Sequence, residues 1–95
     1  MPYYVYILAN KRNGTLYTGV TSDIGRRVWE HRESEVDSFT RRYGTKMLVC
    51  VEAHDDVEQA ILREQKIKRW RREWKLALIE KHNPDWRDLF DDLNR

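Results

Sequence analysis

The run of apolar and polar positions changes period along the chain, from a two-residue repeat near the start to a helical repeat in the second half. Tyr3 to Ala9 is aromatic and β-branched, which favours a strand. Asn10 to Gly14 supplies turn chemistry, with Asn13-Gly14 able to take positive φ at low cost. Thr15 to Thr21 then reads as the returning strand of a β-hairpin. Gly19 inside that strand weakens it unless something must approach the backbone closely, a first hint of a site. Ser22 or Asp23 can cap a helix running to about Ser34, which Gly25 makes dependent on tertiary packing. Asp37 to Gly44 reads as a polar, basic loop, and Lys46 to Ala53 as a buried strand with a continuous apolar run. Asp55 or Asp56, helped by Glu58, then caps a long helical stretch that persists to about Lys81. So long a helix is unusual in a small domain, and a bend is expected near Lys68 to Arg71. Asn83-Pro84 ends it, and Trp86 to Leu93 is expected to form a short last helix. The order β-β-α-β-α-α predicts one α+β domain over residues 1–95, with helices flanking a small three-stranded antiparallel sheet.

Composition narrows the classes. The 95 residues can bury one modest core, and 40% hydrophobic against 36% charged residues excludes a disordered or membrane-embedded chain. No apolar run reaches the length of a membrane span, and the first one is too short for a secretion signal and lacks a basic flank. A cytoplasmic protein is expected. The single cysteine, Cys50, cannot form an internal disulfide and reads as a small buried hydrophobe. The net charge of +2 hides an asymmetry. Seven basic and two acidic residues lie between Arg63 and Lys75, a density suited to a polyanion, although a solvated helix face is the commoner cause.

One carboxylate stands out. Val57, Ala60, Ile61, Ile67, Trp70, Trp74 and Leu78 form an apolar stripe, and Glu64 lies on the same line. An inward carboxylate is costly unless it is paired or holds a cation. Arg27 and His31, spaced i, i+4, share a face of the first helix. Tyr6 and Tyr17 lie on the two hairpin arms, directly opposite one another if paired residue numbers sum to twenty-three. Taken singly, facing tyrosines are usually packing, a lone histidine a surface or capping residue, and an inward glutamate a salt-bridge partner. Together they hold what phosphodiester hydrolysis needs. A carboxylate-held Mg²⁺ and an arginine supply positive charge, and a tyrosine or histidine takes a proton once nearby cations favour it.

Tyr4-Val5-Tyr6 followed by Tyr17-Thr18-Gly19 resembles the paired GIY and YIG motifs of the GIY-YIG nuclease superfamily. That superfamily includes the amino-terminal domain of the repair incision protein UvrC and phage intron homing endonucleases. Gly19 to Arg27, with Trp29-Glu30-His31, is similar to the family's first-helix motif, and Arg63 to Lys68 to its later helix. The likeness spans nearly the whole chain and is nearest to the short, stand-alone bacterial members. It implies Tyr17 as the water-activating base with Tyr6 in support, Arg27 on the phosphoryl charge, and His31 in proton transfer or phosphate holding. Glu64 would bind one Mg²⁺ or Mn²⁺ ion, with Gly19 and Asn83 as site-supporting residues, though Asn83 before Pro84 also explains itself as a helix stop. The sequence departs from the pattern at Tyr4, Thr18 and Val20, where members carry Gly, Ile and, in UvrC-like proteins, Lys.

The expectation is thus a metal-dependent endonuclease acting on nucleic acid, DNA rather than RNA, in repair- or recombination-like processing. Lys66, Lys68, Arg69, Arg71 and Arg72 are the candidate nucleic-acid contacts. The rival is a non-catalytic nucleic-acid-binding module of the same fold, which would have no use for a carboxylate facing phosphate. A third reading, a protein-interaction domain using Trp70, Trp74 and Trp86, ranks last because tryptophans at helical spacing are usually core. Base specificity and oligomeric state are open at this level.

Overall fold

The computed structural model describes residues 2–34 and 38–94. Strands β1 (Tyr3–Ala9), β2 (Leu16–Thr21) and β3 (Met47–His54) form one antiparallel sheet in the order β2-β1-β3. Helices α1 (Ile24–Trp29), α2 (Ser38–Tyr43), α3 (Val57–Arg69) and α4 (Arg72–His82) flank it, with a π-helical turn at Glu30–Ser34 and a 3-10 turn at Leu89–Asn94. This is the α+β architecture the sequence predicts.

Period-two alternation along β1 sends side chains to two separate cores. Val5, Ile7 and Ala9 join Cys50, Ala60, Ile67, Ile79 and Trp86 under α3 and α4. Tyr6 and Leu8 point the other way, onto Ile24, Val28 and Leu48 under α1, with Leu89, Phe90 and Leu93 closing the layer. The sheet is therefore covered on both faces; parity assigns the side along β1 and β2, while a register shift on β3 sends Val49 and Cys50 to one core and Leu48 and Val51 to the other.

Three expectations change. The hairpin pairs residues whose numbers sum to twenty-five, so Tyr6 lies opposite Gly19 and Tyr17 opposite Leu8. The reason is the connection: Asn10 Oδ1 accepts from Thr15 N at 2.9 Å and Asn13 takes φ 58°, which fixes a loop longer than a two-residue turn. A shift of two keeps parity, so both tyrosines still share a face. Next, part of the expected basic loop is helical: Asp37 lies outside the described residues, but Ser38–Tyr43 forms α2, ended by Gly44 at φ 66°. Finally, the apolar stripe does not stay inward. Trp70 and Arg71 are extended (ψ 150° each), so the expected bend is a two-residue break that resets the helical phase. Ala60 and Ile67 are buried, whereas Val57, Ile61 and Trp74 are exposed.

The helix caps follow the sequence. Asp23 accepts from Arg26 N at 3.1 Å and Asp56 from Glu58 N at 3.0 Å. Among the described residues no helix is long and apolar enough to cross a membrane.

Candidate active site

Four of the residues singled out in the sequence meet on the α1 side of the sheet. The Tyr6 ring lies across the backbone of Gly19, where an added Cβ would stand 2.5 Å from Oη and 2.6 Å from Cζ. A side chain at position 19 would displace the phenol, so glycine there is a packing requirement. Tyr17, two residues back along β2, sits diagonally beside it with ring centroids 6.3 Å apart. From α1, Arg27 donates through Nε to Tyr6 Oη at 3.3 Å. Burial works against the Arg27 charge, but hydrogen bonding and attraction to Tyr6, then to Tyr17, leave its pKa above the ordinary guanidinium value. Glu30 adds an ion pair at 3.5 Å.

His31 completes the group from below. Its ring centroid lies 4.9 Å from that of Tyr17 and 6.2 Å from that of Tyr6. It belongs to the π-helical turn that extends α1, and it is 0% exposed. A ring so placed is closed off from solvent on every side. His31 Nδ1 lies 2.6 Å from Thr40 Oγ1, which lies 3.1 Å from Thr45 Oγ1, and both threonines are fully buried. The pair holds the imidazole in one orientation. Sequence reasoning missed both threonines because they lie in or beside what reads as a polar loop. The solvent-facing members are Tyr17 and Arg27, whose side chain is 29% exposed.

The expected metal ligand is Glu64. It lies between Ala60 and Ile67 on α3, over the opposite face of the sheet, where its carboxylate pairs with Lys68 Nζ at 3.2 Å. No group of three or more His, Cys, Asp or Glu that could hold a metal is found among the described residues. This carboxylate, 13% exposed and paired among the described residues with a lysine that is itself 53% exposed, still fits a hard divalent ion. Mg²⁺ is commonly held by one or two carboxylates with waters and substrate phosphate filling the other positions.

The remaining candidates divide. Asn83 is buried and its amide is used structurally: Nδ2 donates to Val49 O at 3.1 Å and Arg87 O at 2.9 Å, and Oδ1 accepts from Arg87 N at 3.2 Å. That explains it as the anchor between α4 and β3. Of the basic run, Arg72 is bonded to Asn13 O and Gly14 O of the hairpin loop and Lys68 to Glu64, while Lys66, Arg69 and Arg71 are exposed. Arg63 chelates Glu52 with two 2.9 Å bonds. That contact, ahead of burial, holds the Glu52 carboxyl below its ordinary pKa.

Known proteins resemble this chain over most of its length. The family model described as the GIY-YIG catalytic domain matches residues 2–77. The UPF0213 protein HQ_3675A of Haloquadratum walsbyi is 41% identical over 78 residues, covering 82% of this chain and 86% of its own. The UPF0213 protein SSP2268 of Staphylococcus saprophyticus is 36% identical, covering 81% and 93%. The solution NMR structure of the UPF0213 protein BH0048 from Bacillus halodurans superposes with a TM-score of 0.58 at 32% identity, covering 93% of each chain. The chain belongs to the GIY-YIG catalytic domain family, alongside the short UPF0213 proteins.

Proposed function

We propose that this protein is a divalent-metal-dependent endonuclease that hydrolyses phosphodiester bonds of nucleic acid, DNA in the first instance, in repair- or recombination-type processing. The observation that carries this reading is the convergence of Tyr6, Tyr17, Arg27 and His31 in one patch of a catalytic-domain family. Arg27, held against Tyr6, is placed to receive a phosphoryl oxygen and stabilise the charge that grows there. The Tyr17 phenol orients the attacking water, whose oxygen bonds to phosphorus as the P–O bond to the leaving oxygen breaks. The water's proton passes through Tyr17 toward the imidazole of His31, whose ring lies beside it. Glu64 would hold Mg²⁺ or Mn²⁺. Such an ion, when bound, supplies positive charge to the phosphoryl oxygens and makes a water more acidic.

The test is cleavage of labelled single-stranded, double-stranded and branched DNA, and of RNA, with Mg²⁺, Mn²⁺ or EDTA. Glu64→Ala and Tyr17→Phe would run alongside. The expected result is metal-dependent cutting that both substitutions reduce by at least about 100-fold, the scale of a lost acid–base or charge-stabilising group. A fully active Glu64→Ala protein would sink the metal assignment. Binding without cutting under every condition would leave a nucleic-acid-binding module.

A further inference from the structure

The core under α3 and α4 leaves one aromatic surface uncovered. Trp70, at the helix break, and Trp74, on the first turn of α4, meet edge to face with centroids 6.2 Å apart. With Ala77 and Leu78 they line an open groove of about 430 Å³ whose rim is Arg63 and Lys81. Trp74 is 52% exposed. Trp86, by contrast, is buried and donates Nε1 to Glu80, so the tryptophans that share a helical spacing do not share a role. Cations accompany both rings: Arg63 lies 5.0 Å over Trp70 and Arg71 5.9 Å over Trp74. Arg63 is neutralised by Glu52, and so serves to hold the Trp70 plane. Arg71 pairs with Glu73 at 3.7 Å, both side chains largely exposed, a contact that leaves its charge available.

We infer that this groove is a second nucleic-acid contact, which stacks unpaired bases on Trp74 and Trp70 while Arg71 and Lys81 follow the phosphates. An exposed π-face bordered by cations is the combination that binds single strands without reading sequence. The sheet lies between this groove and the tyrosine cluster, so a strand held here is held away from the site of cutting. The partner's chemical class rests on the nuclease reading, but the site itself needs none of that reading's catalytic residues.

The experiment is a binding titration in EDTA, read by tryptophan quenching and by anisotropy of a labelled thymidine homo-oligomer. The same oligomer with abasic sites and a blunt duplex are the comparisons. The natural oligomer should bind more tightly than the abasic one, and Trp74→Ala should remove about 5- to 150-fold of its affinity, the range for one base–aromatic stack. Trp74→Phe should keep most of it. Arg71→Ser with Lys81→Ser, which leaves the rings intact, should weaken both oligomers and flatten their salt dependence. Equal affinity for natural and abasic oligomers, or no effect of Trp74→Ala, would overturn the inference and return the groove to contact with another protein. A protein that binds unpaired bases yet never cuts fails only the nuclease proposal. One that cuts but ignores unpaired bases fails only this one.

Discussion

Gly19→Ala puts the geometry of the tyrosine cluster under direct strain. The new methyl would lie 2.5 Å from Tyr6 Oη, 2.6 Å from Cζ and 3.0 Å from Cε1, well inside ordinary carbon contact distances. The ring has little room to yield, because Tyr6 is 1% exposed and packs with Leu8, Ile24, Val28 and Leu48. Overpacking of this kind costs about 1–3 kcal/mol. The lost flexibility of the unfolded chain offsets about 0.4–1 kcal/mol of that. The net expectation is a loss of about 1–2 kcal/mol, or roughly 4–8 °C in Tm per kcal/mol for a domain of this size. Gly25→Ala is the matched control. Its Cβ would come no nearer than 4.0 Å to Asp23 Oδ1, and on α1 the substitution should stabilise by about 0.5–1 kcal/mol. Urea denaturation of both variants, with unchanged m-values, measures the two effects. Cleavage should fall with Gly19→Ala, since a displaced Tyr6 releases Arg27, and hold with Gly25→Ala. A Gly19→Ala protein as stable as the parent would refute the close approach of Tyr6 to the β2 backbone.

Two further outcomes are expected. Thr40→Val removes the hydroxyl between His31 and Thr45 and should cost about 1–3 kcal/mol for the buried polar groups left behind. Thr40→Ser should retain stability and cleavage; equal unfolding midpoints for Val and Ser variants would show that the hydroxyl holds nothing. Burial, more than the nearby Glu52, pushes the Cys50 thiol up to about 12 from 9.0. The folded protein keeps this proton while the unfolded chain releases it. The contribution to stability is therefore complete below pH 9 and declines as pH rises from 9 to about 12. Urea midpoints measured across that range should fall for the parent and fall less for Cys50→Ala. Equal slopes would show that another group drives the alkaline loss.

Most of the fold could be read from local pattern. The alternating aromatic residues of β1, the Asp23 and Asp56 caps and the stop at Asn83-Pro84 are each specified within a few neighbouring residues. The break after Arg69 was foreseeable because the helical pattern ran longer than a small domain accommodates. α2 was not legible: six residues of helix, four of them Ser, Thr or Arg, carry too little periodicity to outweigh their polarity. With α2 went Thr40 and Thr45, whose part in holding His31 depends on contacts nine and five residues apart in the chain. The hairpin register was misjudged by two for a related reason, since Asn10 closing on Thr15 is a matter of loop geometry.

What the sequence determined alone was the inventory of chemical groups and the face each would occupy. Parity along β1 and β2 places Tyr6 and Tyr17 together, and i, i+4 spacing aligns Arg27 with His31, because both periods follow from backbone geometry. Only the tertiary structure decided depth and distance. It buried His31 completely, left Tyr17 and Arg27 toward solvent, paired Glu64 on α3 with Lys68, and exposed Trp74 while enclosing Trp86. Those outcomes turn on how helices separated by many residues pack on the two faces of one sheet, and on a break that resets helical phase. No local period encodes either.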